Sequence, residues 1–154
     1  MINMDLFEMI KVLIFSALPV IEIRGGIPLA LSYGFSSWQA YFLSALGNIA
    51  VIIPIFIMLN WLGELFKKIP VLDIIFNKST ERVLKKKDQY IKYGKYVLYF
   101  FVAIPLPTTG AWTASLAAYI FKIPFRDSFW IISLGVLTSG LIILLLSHTT
   151  LSFF

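Results

Sequence analysis

The stretch Leu18-Pro19-Val20-Ile21-Glu22-Ile23-Arg24-Gly25-Gly26-Ile27-Pro28 decides how this chain folds. Glu22 and Arg24 are the only charged residues between Lys11 and Glu64, and Pro19, Gly25, Gly26 and Pro28 surround them. A charged side chain at the centre of a bilayer costs about 2.5–3.5 kcal/mol on insertion scales, so such residues mark a functional site by default. The apolar run ahead of them, residues 9–21, would reach only about 20 Å as a helix. The hydrocarbon core is roughly 30 Å thick. Residues 9–35 are therefore expected to form a re-entrant hairpin, two half-helices meeting inside the membrane. Non-helical backbone at that depth is tolerated only where it is buried in protein or lines a wet cavity.

The rest of the chain supports a membrane setting. Of its 154 residues 59% are hydrophobic and only 14% charged, with a mean hydropathy of +0.87, against roughly 45–50% apolar and 25% charged in soluble domains. There is no cysteine and a single histidine, His148, expected at the outer interface. Thiolate metal sites and Cys nucleophiles lack their residue, zinc chemistry and a His-based triad have almost no ligands to draw on, and no phosphate-binding Gly-rich loop is present. No cofactor, no metal and no enzymatic activity are expected. Asp5 and Glu8 stand where a signal peptide would carry basic residues.

Three further apolar regions follow. Residues 37–60 and 125–150 are long enough to span. Residues 96–121 are split by Ile104-Pro105-Leu106-Pro107-Thr108-Thr109-Gly110 into pieces too short to cross, which predicts a second re-entrant hairpin. The chain then reads as a single all-α membrane domain, 1–154, built of two inverted repeats. Repeat one is 5–63 (hairpin 9–35, span 37–60) and repeat two is 96–150 (hairpin 96–121, span 125–150). Weak internal matches agree: Leu18-Pro19 with Ile104-Pro105, and Ala45-Leu46-Gly47 with Ser133-Leu134-Gly135 at an offset of 88. Paired Gly/Pro-interrupted segments point to the binding site of a transporter. Gly47, Gly135 and Gly140 are expected to be close-packing points.

Residues 61–95 hold nine Lys/Arg against four acids. The basic linker 64–95 is thus expected to be cytoplasmic by the positive-inside rule, to attract anionic lipids, and to include an amphipathic surface helix over 79–93. Nucleic acid is not an expected partner. With both hairpins re-entrant, Lys122 and Arg126 fall on the same side as this linker, and both termini lie outside a plasma (inner) membrane. A chain this small is expected to work as a homodimer.

The chemistry centres on the two breaks. The second half-helix of hairpin one is expected to begin near Gly26-Ile27-Pro28, with Pro28 in the first turn, and that of hairpin two near Thr109-Gly110, capped by Thr108 or Thr109. Two half-helix N-termini aimed at the midplane, with Arg24 beside them, would cradle an anion, phosphate above all. Arg24, Gly25, Gly26, Pro28, Pro105, Pro107, Thr108, Thr109, Gly110, Trp112, Thr113 and Asn48 are the candidate substrate-binding residues. Each has a plainer alternative: helix capping for the threonines, packing on the other hairpin for Trp112, an interhelical hydrogen bond for Asn48. Glu22 is expected near the end of the first half-helix, whose negative dipole end opposes a carboxylate while Arg24 favours it. It is the candidate for coupling to a proton or monovalent cation, or else a structural partner of Arg24.

Pro19-Val-Ile-Glu-Ile-Arg-Gly-Gly-Ile-Pro-Leu and Ile104-Pro-Leu-Pro-Thr-Thr-Gly-Ala-Trp-Thr resemble the two signature segments of the small multidrug export proteins of prokaryotes, over essentially the whole chain. That family is in turn similar to the DedA/VTT membrane proteins. This more distant resemblance implies two inverted re-entrant hairpins, lipid flipping, an acid at Glu22 and a turn at Pro105, Pro107 and Gly110. The arginine those proteins carry in hairpin two has no counterpart between Lys95 and Lys122; Arg24 is the available substitute. The leading expectation is translocation of a lipid-linked phosphate of the undecaprenyl-phosphate kind. Proton-coupled export of small cationic drugs and a non-transporting scaffold or assembly factor are the alternatives.

Overall fold

A computed structural model describes residues 6–67, 87–106 and 109–151, all helical apart from short connections. Hairpin one is α1 (Leu6–Ala17) and α2 (Glu22–Ser32). The two helices run antiparallel: Lys11 of α1 lies 5.6 Å from the ring of Tyr33, which closes α2, while Ser16 faces Gly26 nearer the tip. At 12 and 11 residues each is about 17 Å long, too short to cross a hydrocarbon core. The break is earlier and tighter than the sequence suggests. It occupies Leu18–Ile21, and α2 begins at Glu22, whose φ is +48°. Gly25, Gly26 and Pro28 therefore lie inside α2, and Pro28 is not in its first turn. The glycine at 26 reports close packing: a Cβ there would overlap Ser16 Oγ and come within 2.8 Å of Ser44 Oγ.

Tyr33 caps α2, Gly34 follows at φ +83°, and the amides of Gly34 and Phe35 bond back to Leu31 and Ala30. Glycine fits this left-handed position without penalty. Ser36 then opens α3 (Ser37–Ala50) through a capping box with Gln39. Ser36→Ala is expected to cost about 1 kcal/mol, as such caps do, read as a lower midpoint of unfolding in detergent.

The expected span 37–60 is longer and is interrupted. After Val51 the chain continues as α4 (Ile52–Lys67). Pro54 has no amide to donate to the carbonyl of Ala50, which breaks the ladder there. Residues Ser37–Glu64 are still long and apolar enough to cross a membrane, as are Phe125–Ser147 of the last helix. Phe42, Leu46, Ile53, Ile57 and Trp61 on the first, and Leu134 and Leu141 on the second, are exposed. Soluble monomers rarely show contiguous apolar surface of that extent, so these faces fit lipid.

Hairpin two is α5 (Lys87–Ala103) and α6 (Ala111–Ile120), followed by α7 (Phe125–Leu151). The first arm does not begin at residue 96 as expected. From Lys87 onward the anticipated linker helix 79–93 is continuous with it, while residues 79–86 lie outside the described residues. α5 and α6 are antiparallel, Gly94 facing Ile123 across the open end. α6 ends as α2 does: Lys122 takes the left-handed position at φ +55°, and the amides of Lys122 and Ile123 return to Tyr119 and Ala118.

The two long segments cross antiparallel. The Tyr41 hydroxyl donates to the Leu137 carbonyl at 3.0 Å near one end. The rings of Phe56 and Phe125 meet at 5.1 Å near the other. α7 therefore begins beside the first turns of α4, and Lys95 of α5 pairs there with Asp127. Around this crossing the core is small and dry: Ala45, Ile52, Val102, Ala111, Ala114, Ile132 and Val136 are buried. Gly47 packs against the backbone of Leu13, Gly135 against Val102 and the Tyr99 carbonyl, and Gly140 against Ile23 and Tyr41, the close approaches expected of these glycines.

Candidate functional site

The tips of the two hairpins meet. Glu22, buried in spite of its charge, extends its carboxylate to the N-terminus of α6, where the Trp112 amide donates to Oε1 at 3.4 Å. The Ala111 amide faces the same group. Gly110 makes the approach possible, since any Cβ there would overlap the carboxylate. Glu22 thus stands at the positive ends of two helices, its own α2 and the opposing α6. The expectation that it would sit on a negative helix end is corrected, because the chain turns before Glu22 and not after it. An anionic side chain in this setting is stabilised by roughly 0.3–1 kcal/mol, and by up to about 2 kcal/mol when partly buried.

Arg24 reaches the same turn from the other side. Its guanidinium donates to Thr109 Oγ1 at 3.1 Å. Thr109 in turn donates to the carbonyls of Ile104 and Leu106 at 2.9 and 3.1 Å and accepts from the Leu106 amide at 3.3 Å. Its hydroxyl holds the turn around Pro105 closed; it does not cap α6, whose first turn opens at Gly110. Thr113 bonds back to the Gly110 backbone in the local capping role. Pro107 and Thr108 lie outside the described residues, as does the side chain of His148. The Trp112 indole donates to the Ala17 carbonyl at 2.9 Å. It packs hairpin two onto hairpin one and satisfies an orphan carbonyl at the end of α1. Among the described residues Glu22 and Arg24 make no direct ion pair, although each feels the other's charge.

The long helices close the site. A narrow gap, too tight for a water molecule, is lined by Glu22, Arg24, Gly110, Asn48, Val136 and Ser139. Asn48 and Ser139 are each 1% exposed, yet Asn48 Oδ1, Ser139 Oγ and Arg24 Nε have no hydrogen-bond partner. Orphaned polar groups of this kind are costly. Three around one gap mark an unsatisfied polar junction within otherwise apolar packing. Asn48 sits mid-way along Ser37–Glu64, and Val136 and Ser139 mid-way along Phe125–Ser147, so the tips meet beside the middles of the two long apolar segments. The sequence singles out Asn48 but misses Ser139, Ser16 and Ser44. The available signal is their position as buried hydroxyls in otherwise apolar helices, with Ser44 and Asn48 one turn apart on one face.

Gly25, Gly26 and Pro28 are not brought to the gap; they shape α2 behind it. Glu22, Arg24, Thr109, Gly110, Trp112 and Asn48 are brought together. No group of three or more potential metal ligands occurs among the described residues.

No curated protein and no solved structure matches this chain. The family model described as "Putative small multi-drug export protein" matches residues 22–142, from the buried glutamate at the first tip to beyond the middle of α7, and the chain belongs to that family of membrane export proteins.

Proposed function

We propose that this protein translocates a lipid-linked phosphate of the undecaprenyl-phosphate kind across a plasma (inner) membrane, through the junction of two re-entrant hairpins. One observation carries the proposal: the position built to hold an anion, the N-terminus of α6 beside Arg24, already holds the carboxylate of Glu22. A substrate phosphate would compete with Glu22 for the amides at the end of α6, and with Thr109 for the Arg24 guanidinium. Protonation of Glu22, or capture of a monovalent cation by it, would free the end of α6 for the headgroup. Competition between an internal carboxylate and a substrate anion couples the two without any further machinery.

The inverted-repeat architecture is part of the same proposal. α3 and α7 begin 88 residues apart, and the left-handed positions Gly34 and Lys122 are separated by the same offset. Gly47 meets the Leu13 carbonyl as Gly135 meets that of Tyr99. The segments Ser37–Glu64 and Phe125–Ser147 run in opposite senses, as the spans of inverted repeats must. The end carrying Lys95, Lys122 and Arg126 would then be cytoplasmic together with residues 64–95.

The family description favours a second reading, proton-coupled export of small cationic drugs with Glu22 as the carboxylate shared by proton and substrate. Reconstitution into vesicles separates the two. In a lipid-phosphate flipping assay, wild-type protein is expected to exceed empty liposomes, and Arg24→Ala to lose at least tenfold of that activity. Glu22→Gln should retain flipping but lose its response to a pH gradient. Equal activity of all three would remove these residues from the mechanism. Absence of wild-type flipping, together with drug resistance in cells that Glu22→Gln abolishes, would establish the second reading.

A further inference from the structure

The seams of the two hairpins differ. In hairpin one Gly26 brings α2 hard against Ser16 of α1. In hairpin two the arms stand apart, leaving a groove of about 390 Å³ between Tyr93, Val97, Leu98 and Phe101 of α5 and Ala117 and Phe121 beside α6. Volumes of 300–1,000 Å³ with apolar walls are those of small-molecule sites. From Tyr93 to Phe101 the groove runs about 12 Å along α5, close to the depth of one leaflet of a hydrocarbon core roughly 30 Å thick.

We infer that this groove seats one hydrocarbon chain of an anionic lipid from the leaflet at the basic end of the molecule. The lining excludes a polar occupant, because its accessible surface is almost wholly apolar. The mouth selects the charge. Lys122 directly follows the groove residue Phe121 and is exposed, Arg126 is the second residue of α7 and is exposed, and neither makes an ion pair among the described residues. The nearby acid, Asp127, is already neutralised by Lys95. Tyr93 stands exposed at the same level, the depth at which aromatic side chains meet headgroups. A lipid held this way has its headgroup among the basic residues and its chain end about one to two turns from the tip of hairpin two, counted from Phe101 on one arm and Ala117 on the other. That is the posture of a lipid waiting to enter the junction of the two tips. Its place in transport rests on the function proposed above; the binding itself does not.

The test uses phosphatidylglycerol carrying a diazirine at the end of one chain, in phosphatidylcholine vesicles containing the full-length protein. After photolysis, adducts are expected on α5 and α6 around residues 97–121, at least fivefold above the lipid-facing residues Phe42 and Leu46. Ala117→Trp, which fills the groove, should lower those adducts at least fivefold and leave Phe42 and Leu46 unchanged. Gly94→Leu fills it from the opposite wall and serves where Ala117→Trp does not fold. Lys122→Gly removes the charge without straining a left-handed position and should lower labelling by the phosphatidylglycerol probe but not by its phosphatidylcholine counterpart. Uniform labelling of all lipid-facing helices, labelling indifferent to both filling variants, or crosslinks to a second copy of the chain at these residues would overturn the inference. Because labelling needs no turnover, an inactive wild-type protein would count against the transport proposal alone.

Discussion

Gly110→Ala is expected to destabilise the protein by about 1–3 kcal/mol, the usual effect of forcing a methyl group into a filled site, and to abolish transport. Backbone strain is not the reason, because the φ of Gly110 is 171°, an extended value open to any residue. The reason is that the new methyl group occupies the volume of the Glu22 carboxylate. The carboxylate has to leave the end of α6. It then loses its amide partner and leaves the Trp112 amide without its acceptor, while its charge remains in apolar surroundings. The expectation is sharp because the obstacle is a single removable side chain. Glu22→Ala clears the space, so Gly110→Ala should cost little in that background. A double-mutant cycle by equilibrium unfolding in detergent should therefore give a coupling of at least about 1 kcal/mol, the size found for residues in direct contact. Strict additivity would mean that Gly110 and Glu22 do not share this space, and the account of Glu22 as the resident anion of the site would fall with it.

How far the sequence goes is set by what each signal measures. Hydropathy and length place the two long apolar segments, since hydrophobic thickness fixes helix length directly. Two charges among helix breakers locate the first tip, and a Pro/Gly cluster locates the second. The exact point of reversal is not legible. Gly25, Gly26 and Pro28 look like a break, yet the chain turns at Leu18–Ile21 and carries all three inside α2. In a membrane helix glycine is as often a surface for another helix as a point of flexure, and only the partner, here Ser16, tells which. Tertiary pairing explains the second difference as well. Local chemistry puts Glu22 and Arg24 in one turn and invites a pair between them, whereas the fold gives each a separate partner on hairpin two. Ser139 is invisible for the same reason: one serine in α7 acquires meaning only when α2 and α3 bring Glu22 and Asn48 to it.

Gly47→Ala should produce the second large effect, and it should exceed that of Gly135→Ala even though the two positions correspond in the two halves. Alanine is intrinsically better than glycine in a helix by about 0.8–1.0 kcal/mol, so both substitutions begin with the same gain. At Gly135 the methyl group would meet the Val102 side chain at 2.7 Å and the Tyr99 carbonyl at 3.2 Å. The atom met first is Val102 Cβ, which moves only with its backbone, so α5 has to give slightly there, by less than the overlap at Gly47 demands, and the net loss should stay within about 1 kcal/mol once the propensity gain is subtracted. At Gly47 the methyl group would overlap the Leu13 carbonyl oxygen, with the Leu13 carbonyl carbon at 3.0 Å and its Cα at 3.1 Å. Backbone offers no rotamer to move, so α1 as a whole has to retreat from α3. A net loss of about 2 kcal/mol follows from overpacking of up to about 3 kcal/mol less the propensity gain. The retreat also reaches the site. α1 ends at Ala17, whose carbonyl accepts the Trp112 indole proton, so moving it pulls on the residue whose amide holds Glu22. Gly47→Ala should therefore lower transport as well as the unfolding midpoint, while Gly135→Ala leaves transport close to wild type. Equal losses at the two positions would show that the Leu13 contact is not what fixes hairpin one against the long helix.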